Sequence, residues 1–400
     1  MRYWVLFLLC MGAVISYVQR LGISTTVKEI QFDLKLNKED MGYVMSAWFF
    51  GYAIMQVPSG ILADRLGSRT AMFLLAAAWS FFTALTGCAW DFTSLLAIWM
   101  AMGMAMAGIF PCATKSISEL FIHNNKAIAS GMLTASMAFG AAISQIILSR
   151  LNDRFPWQES FVLIAVPGFL WGATFFILTK GVPGESVVLS PAIRKFNLKS
   201  FTETFKDSTV ILLCSQQFFR AMAMVFFFTW FPTYLKEGRS ANNLETGNLG
   251  TLVLLGAMLG GVLGGFASEK ILQITGNRRL ARQGIAVGGM SLCAVLVVAS
   301  YFAENINWAV GFITTGAFFA NFGGVSGYTV TIEYGGAKVA TVFSLVNMCG
   351  NFGAALFPLV TGLILERTGS WNAVVFLFAA IFAIDAIIWY FINPAKPQVA

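Results

Sequence analysis

The sequence predicts an all-α membrane protein of twelve transmembrane helices, arranged as two pseudo-symmetric six-helix bundles. Three observations carry that prediction. The 400 residues are 57% hydrophobic and only 11% charged, with a mean hydropathy of +0.73, and a water-soluble fold of this composition would expose far more apolar surface than water tolerates. Apolar runs of about 20 residues, the length of helix that crosses the hydrocarbon of a bilayer, recur along the whole chain. Short motifs of the first half also return in the second.

The runs fall at 3–27, 41–63, 70–90, 93–120, 127–149, 159–180, 208–235, 248–272, 282–303, 307–333, 339–365 and 371–393. Their length and 3.6-residue patterning exclude a β-barrel, whose strands read as short alternating segments. The first run lacks a small-residue cleavage site and is followed by many others, so it is span 1 rather than a signal peptide. Of the 26 Lys and Arg residues, fifteen fall near the ends that are cytoplasmic if both termini are cytoplasmic, and eight near the opposite ends. This positive-inside bias sets the orientation and accounts for most of the net charge of +7, so no nucleic acid partner is implied. All six cysteines lie within spans, which implies no external disulfide framework.

The longest polar stretch, Gly181 to Asp207, separates six spans from six and is read as a cytoplasmic linker. The domains are thus 1–180, an N-terminal bundle, and 208–400, a C-terminal bundle, joined by 181–207. "GILADR" at 60–65 is echoed by "GFASEK" at 265–270, "FGAA" at 139–142 recurs at 352–355, and Arg20 and Arg220 occupy corresponding spans. Parallel repeats of this kind place a substrate site between the halves near the bilayer midplane.

Three basic residues, Arg20, Lys115 and Arg220, fall inside spans. An arginine at the centre of a membrane helix costs ~2.5–3.5 kcal/mol on insertion scales, which makes it a functional-site candidate. Span 7 starts near Ser208, so Arg220 lies roughly 18 Å along it at about 1.5 Å per residue, beyond snorkelling reach. Arg20 lies nearer the outer end, but the following "LGISTTVKEI" contains no proline and continues the helix outward, leaving Arg20 below the surface. Two guanidinium groups make a cationic cavity, and the planar fork of each matches a carboxylate or phosphate bidentately. Tyr17, one turn before Arg20, Tyr52 with Gln56, Asn347 with Asn351, Gln217 and Asn321 supply amides and phenols for substrate hydroxyls, or else bonds between helices. Lys115 is either a third cationic ligand or the partner of Glu119 one turn on.

The methionines Met100, Met102, Met104 and Met106 form two M-x-x-x-M pairs, with Met222 and Met224 in span 7. Thioethers bind Cu(I), which keeps a copper or other soft-metal transporter as an alternative. The other reading is packing filler, favoured because two arginines would repel a metal cation. The single histidine, His123, is in a loop and is not expected to bind metal or relay protons. No Walker loop, HExxH, CxxC or Ser with a buried His partner appears, so no enzyme, cofactor or metal site is expected.

"GILADRLGSR", Gly60 to Arg69, resembles the cytoplasmic loop signature of the major facilitator superfamily, and the layout of twelve spans in two halves matches that fold over the entire chain. The resemblance implies that Asp64, Arg65 and Arg69 lock the cytoplasmic side; the Asp64 carboxylate can accept from Arg69 and face a helix N-terminus. "SAWFFGYAIMQVPSGILADRLG" (46–67), "FFFTWFPTYLKE" (226–237), "NFGAALFPLVTGLI" (351–364) and "YVQRLGIS" resemble the anion:cation symporter family, which includes vesicular glutamate transporters, sialin and bacterial sugar-acid symporters. Arg220 precedes Pro232 by twelve residues, as in the vesicular glutamate branch. The organophosphate:phosphate antiporters share Tyr17-x-x-Arg20, but their span-7 arginine stands about one turn nearer the proline, where this chain has Met224; an organophosphate transporter or sensor is the further alternative.

The resemblance implies a secondary active transporter of a small organic anion, a carboxylate or sugar acid, working by alternating access. It implies a monomer in a cell membrane, the bacterial inner membrane, coupled to a proton or another cation. Gln19 and Met106 stand where bacterial members carry the acidic residues that move protons, so coupling by that route is not expected. Glu119, Glu333 and Asp385 remain near or within the membrane, the first two at cytoplasmic helix ends. "GAMLGGVLGG" (256–265) and "GGVSG" (323–327) allow spans 8 and 10 to approach closely or bend.

Overall fold

The computed structural model describes residues 2–120, 126–180, 207–335 and 339–394. Every apolar run of the sequence appears as helix. In chain order the elements are α1 (Arg2–Arg20), α2 (Gly22–Thr25), α3 (Val27–Leu34), α4 (Lys38–Thr86), α5 (Phe92–Met106), α6 (Ile109–Leu120), α7 (Lys126–Asn152) and α8 (Trp157–Leu178). They continue as α9 (Ser208–Met224), α10 (Phe231–Thr233), α11 (Asn243–Thr275), α12 (Ile285–Tyr301), α13 (Ile306–Gly335), α14 (Val339–Thr368) and α15 (Trp371–Phe391). Among the described residues, ten helical stretches are long and apolar enough to cross a membrane. The linker 181–206 and the side chains of Asp64 and Glu119 lie outside what is described.

Where the helices break, backbone chemistry supplies the reason. Span 4 is read from the sequence as continuous over 93–120, yet it is interrupted between α5 and α6. Pro111 has no N–H to offer the Ala107 carbonyl, so the ladder fails there. Pro232 likewise withholds a donor from Phe228, and span 7 passes from α9 into a 3₁₀ turn at Val225–Phe228 and a π-helical turn at Tyr234–Gly238. Spans 2 and 3 meet inside α4 at Gly67, whose φ of 78° and ψ of 150° are outside the helical region and are open essentially to glycine alone. Beyond Arg20 the helix does continue, as α2 and α3, with one irregular residue at each junction.

The described residues form two compact units. One is drawn from Met1–Ile193 and Phe228–Thr251, the other from Arg194–Phe227 and Leu252–Ala400. In the first, α4 packs on α5 and α8, and α1 on α7 and α8. Trp79 stacks on Trp171 with ring centroids 6.0 Å apart, and the Trp171 indole donates to the Leu8 carbonyl at 2.7 Å. The segment Phe228–Thr251 is held by named bonds: Lys236 Nζ donates to the Thr25 carbonyl at 2.8 Å, Lys38 pairs with Glu237 at 2.7 Å, and Thr251 donates to the Ala142 carbonyl at 2.8 Å. Burial pushes the Lys236 ammonium below the ordinary lysine value, with Glu29, 3.6 Å away, opposing that shift.

In the second unit α9 packs on α14 and α15, and α12 on α13 and α15, around Phe226, Phe357 and Phe378, all wholly buried. The glycine-rich stretch of span 8 makes the close approach foreseen from the sequence. A Cβ on Gly264 would stand 2.6 Å from Phe322 Cα, backbone against backbone. Gly264→Ala is therefore expected to push α11 off α13, destabilising the protein by ~1–3 kcal/mol; a thermal melt in detergent that matches the parent would refute this.

Candidate functional site

Each unit carries one arginine embedded among side chains that orient it without neutralising it. In the first unit Arg20 closes α1. Its guanidinium lies 4.1 Å from the ring centre of Trp48, 5.0 Å from Phe49, 5.4 Å from Tyr17 and 5.8 Å from Phe228. Tyr52 stacks on Trp48 with centroids 5.1 Å apart, and the phenols of Tyr17 and Tyr52 both lie near the Arg20 guanidinium. No carboxylate among the described residues pairs with this cation. Aromatic faces hold a guanidinium through its plane, which leaves the in-plane N–H edge for an anion. Gln56 is one turn beyond Tyr52 on α4 and half-buried.

The second unit holds Arg220 differently. Its Nε donates to Gln217 Oε1 at 3.2 Å, and the guanidinium lies 5.1 Å from the ring centre of Tyr328. Gln217 Nε2 donates to the Tyr328 hydroxyl at 3.2 Å, so one amide ties arginine and tyrosine together. Gly324 on α13 leaves room for the side chain: a Cβ there would stand 3.1 Å from Nη1. With Nε engaged and the ring beneath it, the two Nη groups remain as a fork for a carboxylate. Again no carboxylate among the described residues forms an ion pair with it.

The other residues singled out from the sequence divide. Asn321 Nδ2 donates to the Ala317 carbonyl at 3.0 Å and approaches Met224 Sδ at 3.6 Å, so its amide nitrogen is engaged within its own unit. Asn347 and Asn351 share a face of α14, half-buried, and Gly350 beside them packs on Gln217. Arg69 Nε donates to the Phe176 carbonyl at 2.8 Å and its guanidinium lies 4.2 Å from the Phe176 ring centre, while Arg65 is exposed. Lys115 Nζ donates to the Ala63 carbonyl at 2.9 Å, tying α6 to α4. Gln19 is wholly buried and donates to the Ile164 carbonyl at 2.8 Å, a bond between helices.

The second unit also shows what the "GFASEK" echo does. Arg282, only 3% exposed, donates to Ser268 Oγ at 2.5 Å and pairs with Glu269 at 2.6 Å and Glu333 at 2.9 Å. Glu333 thus sits at a helix end with a partner. Sequence reasoning missed Trp48, Phe49, Phe228 and Tyr328. A signal existed for two of them: Trp48 precedes Tyr52 by one turn, and Tyr328 follows Gly324 by one turn on the face of Asn321.

The family model described as Major Facilitator Superfamily matches residues 9–332 and 213–400. The chain belongs to the Major Facilitator Superfamily. It is 29% identical over 425 residues to a probable galactarate/D-glucarate transporter, GudP of Bacillus subtilis strain 168, covering 99% of this chain and 92% of that protein. It is 28% identical over 402 residues to the hexuronate transporter of the same organism, covering 98% and 94%. A probable sulfoacetate transporter, SauU of Cupriavidus necator, is 25% identical over 406 residues, covering 98% and 94%. Among solved structures, a bacterial homolog of the human lysosomal transporter Spinster, inward-facing and unoccupied, is similar at a TM-score of 0.77 and 19% identity, covering 98% of this chain and 94% of that one. That likeness bears on fold alone. A superfamily fold with ten helical stretches fit to cross a membrane makes this a multi-pass membrane protein.

Proposed function

We propose that the protein is a secondary active transporter of the anion:cation symporter type, moving a small organic anion of the sugar-acid class by alternating access. The observation that carries this reading is the Arg220, Gln217 and Tyr328 arrangement, a guanidinium fixed by one amide and one ring with its fork left open. Arg220 is the principal anion ligand and Arg20 its partner. Tyr17, Tyr52, Gln56, Gln217, Asn347, Asn351 and the remaining acceptor of Asn321 serve the substrate's hydroxyls. Relatives named for galactarate, D-glucarate and hexuronates support a polyhydroxylated carboxylate, and such a molecule needs both a bidentate cation and several neutral polar groups.

The two bundles, 1–180 and 208–400 with a cytoplasmic linker at 181–207, alternate access in a monomer of the bacterial inner membrane with both termini cytoplasmic. Asp64, Arg65 and Arg69 act at the cytoplasmic gate. A proton or another cation is the coupling ion. Against a soft-metal cargo, Met102 is wholly buried and its sulfur lies 3.8 Å from the Thr83 hydroxyl that donates to it, while Met224 Sδ takes the contact from Asn321; both thioethers are packed into their own units.

The test is a thermal-shift and liposome-uptake screen of the purified protein with galactarate, D-glucarate, a hexuronate, sulfoacetate and a sugar phosphate. Binding to the folded state raises the melting temperature. Sugar acids are expected to stabilise the protein and to be taken up; a response to the sugar phosphate with none to the acids overturns the assignment.

A further inference from the structure

We propose that Asp385 is the proton-binding group that couples anion binding to proton movement, with Arg220 as the shared counter-charge. This rests on the reading of Arg220 as the anion ligand. Asp385 lies in α15, wholly buried, and neither carboxyl oxygen has a hydrogen-bond partner. An ionised carboxylate without water or a donor is strongly disfavoured, so its charge state depends on what cation stands near. Three helices, α9, α12 and α14, pack on α15. From α9, Arg220 lies within electrostatic reach and the Gln216 amide stands beside the carboxyl. Helix α12 presents the Cys293 thiol, while the Cys349 thiol of α14 is set against Cys214 of α9. Among the described residues, Arg220 is the cation that acts on Asp385.

Gln216 fits a group that changes its proton. It too is wholly buried, with neither amide atom hydrogen-bonded. Its NH₂ can donate to a carboxylate and its carbonyl can accept from a carboxylic acid, so small rotations serve either state. Gln216 and Arg220 lie one turn apart on α9 and so share a face.

Two anions therefore compete for one guanidinium. With no substrate present, Arg220 compensates the Asp385 carboxylate. When a substrate carboxylate occupies the Nη fork, that compensation is withdrawn and one Asp385 oxygen takes a proton from water, forming an O–H bond and leaving hydroxide to the buffer. The anion and the proton bind together and leave together. By linkage, protons must strengthen anion binding as much as the anion strengthens proton binding. The device stands in place of acidic groups at Gln19, which is bonded to the Ile164 carbonyl, and at Met106, which is buried.

Galactarate binding to the purified protein is measured calorimetrically between about pH 5 and 9, a range in which the sugar acid itself stays ionised. The wild type is expected to lose affinity about tenfold per pH unit on the alkaline side, the slope of one linked proton, and to take up close to one proton per anion from weakly buffered solution. In Asp385→Asn the slope and the proton uptake vanish and a pH gradient no longer drives accumulation in liposomes. A slope that persists in Asp385→Asn, or a wild type that binds galactarate without taking up a proton, overturns the proposal. Asp385→Glu is the second variant: it keeps proton uptake but displaces its pH midpoint, and an unmoved midpoint counts against Asp385 even if Asp385→Asn fails to fold. Arg220→Ala separates the two readings. Galactarate binding that survives it refutes Arg220 as the ligand, whatever the titration of the Asp385 variants shows.

Discussion

Arg220→Ala is expected to abolish saturable sugar-acid binding in a protein that still folds, and Arg220→Lys to be nearly as damaging. The geometry explains why a retained charge does not help. Arg220 delivers its fork because Nε is fixed on Gln217 and its plane is supported by Tyr328, and a lysine ammonium has neither a plane to stack nor a second donor at fork spacing. Truncating one side of a desolvated charge pair costs ~2–5 kcal/mol of binding, a factor of tens to thousands in Kd. Neither substitution breaks a direct salt bridge among the described residues, and in Arg220→Ala the buried Asp385 that loses its counter-charge can take up a proton instead, so the melting temperature of the unliganded protein should change little. Calorimetry with galactarate and a detergent melt on the same preparations decide it. Near-native affinity in either variant, or an Arg220→Ala protein that fails to fold, makes the arginine structural.

Both arginines were visible in the sequence because a charge in an apolar run is conspicuous against its background. The helices were legible for the same reason of solvent: hydrocarbon thickness dictates their length, and proline chemistry accounts for the breaks at Pro111 and Pro232. What surrounds the arginines was harder to read. In a chain that is 14% aromatic, no single tryptophan or phenylalanine marks itself as a cation's neighbour, so Trp48, Phe49 and Phe228 emerge only once the fold brings them to Arg20. Tyr328 is missed in the same way. Asp385 was conspicuous as a residue but not as a site, because the groups that give it a role, Gln216 and Arg220, come from a helix distant in sequence. Lys115 shows how far a long side chain can carry a bond that its own helix does not announce. Spacing on its own helix suggests Glu119, whose side chain lies outside the described residues, and the fold adds the Ala63 carbonyl of another helix as an acceptor for its ammonium.

The cluster around Arg282 leads to the second large effect: Glu269→Gln with Glu333→Gln is expected to destabilise the protein more than Arg282→Met does. Counting lost ion pairs would rank the two alike, since each removes both. The difference lies in what is left behind. Arg282→Met leaves two carboxylates with access to water, for Glu333 is 30% exposed and Glu269 56%, and solvent screens most of what they lose. The double variant instead leaves the guanidinium 4% exposed, bonded to Ser268 Oγ but facing no negative charge. An uncompensated buried charge costs ~3–5 kcal/mol, and the lower part of that range applies here because two neutral amides can still accept hydrogen bonds. Replacing the arginine with methionine fills much of the same volume and so adds little cavity penalty. The ranking is read from melting temperatures of the two proteins in one detergent, with the parent as reference. If Arg282→Met melts lower than the double variant, the stability of this cluster resides in packing of the arginine stem, and its electrostatic reading is wrong.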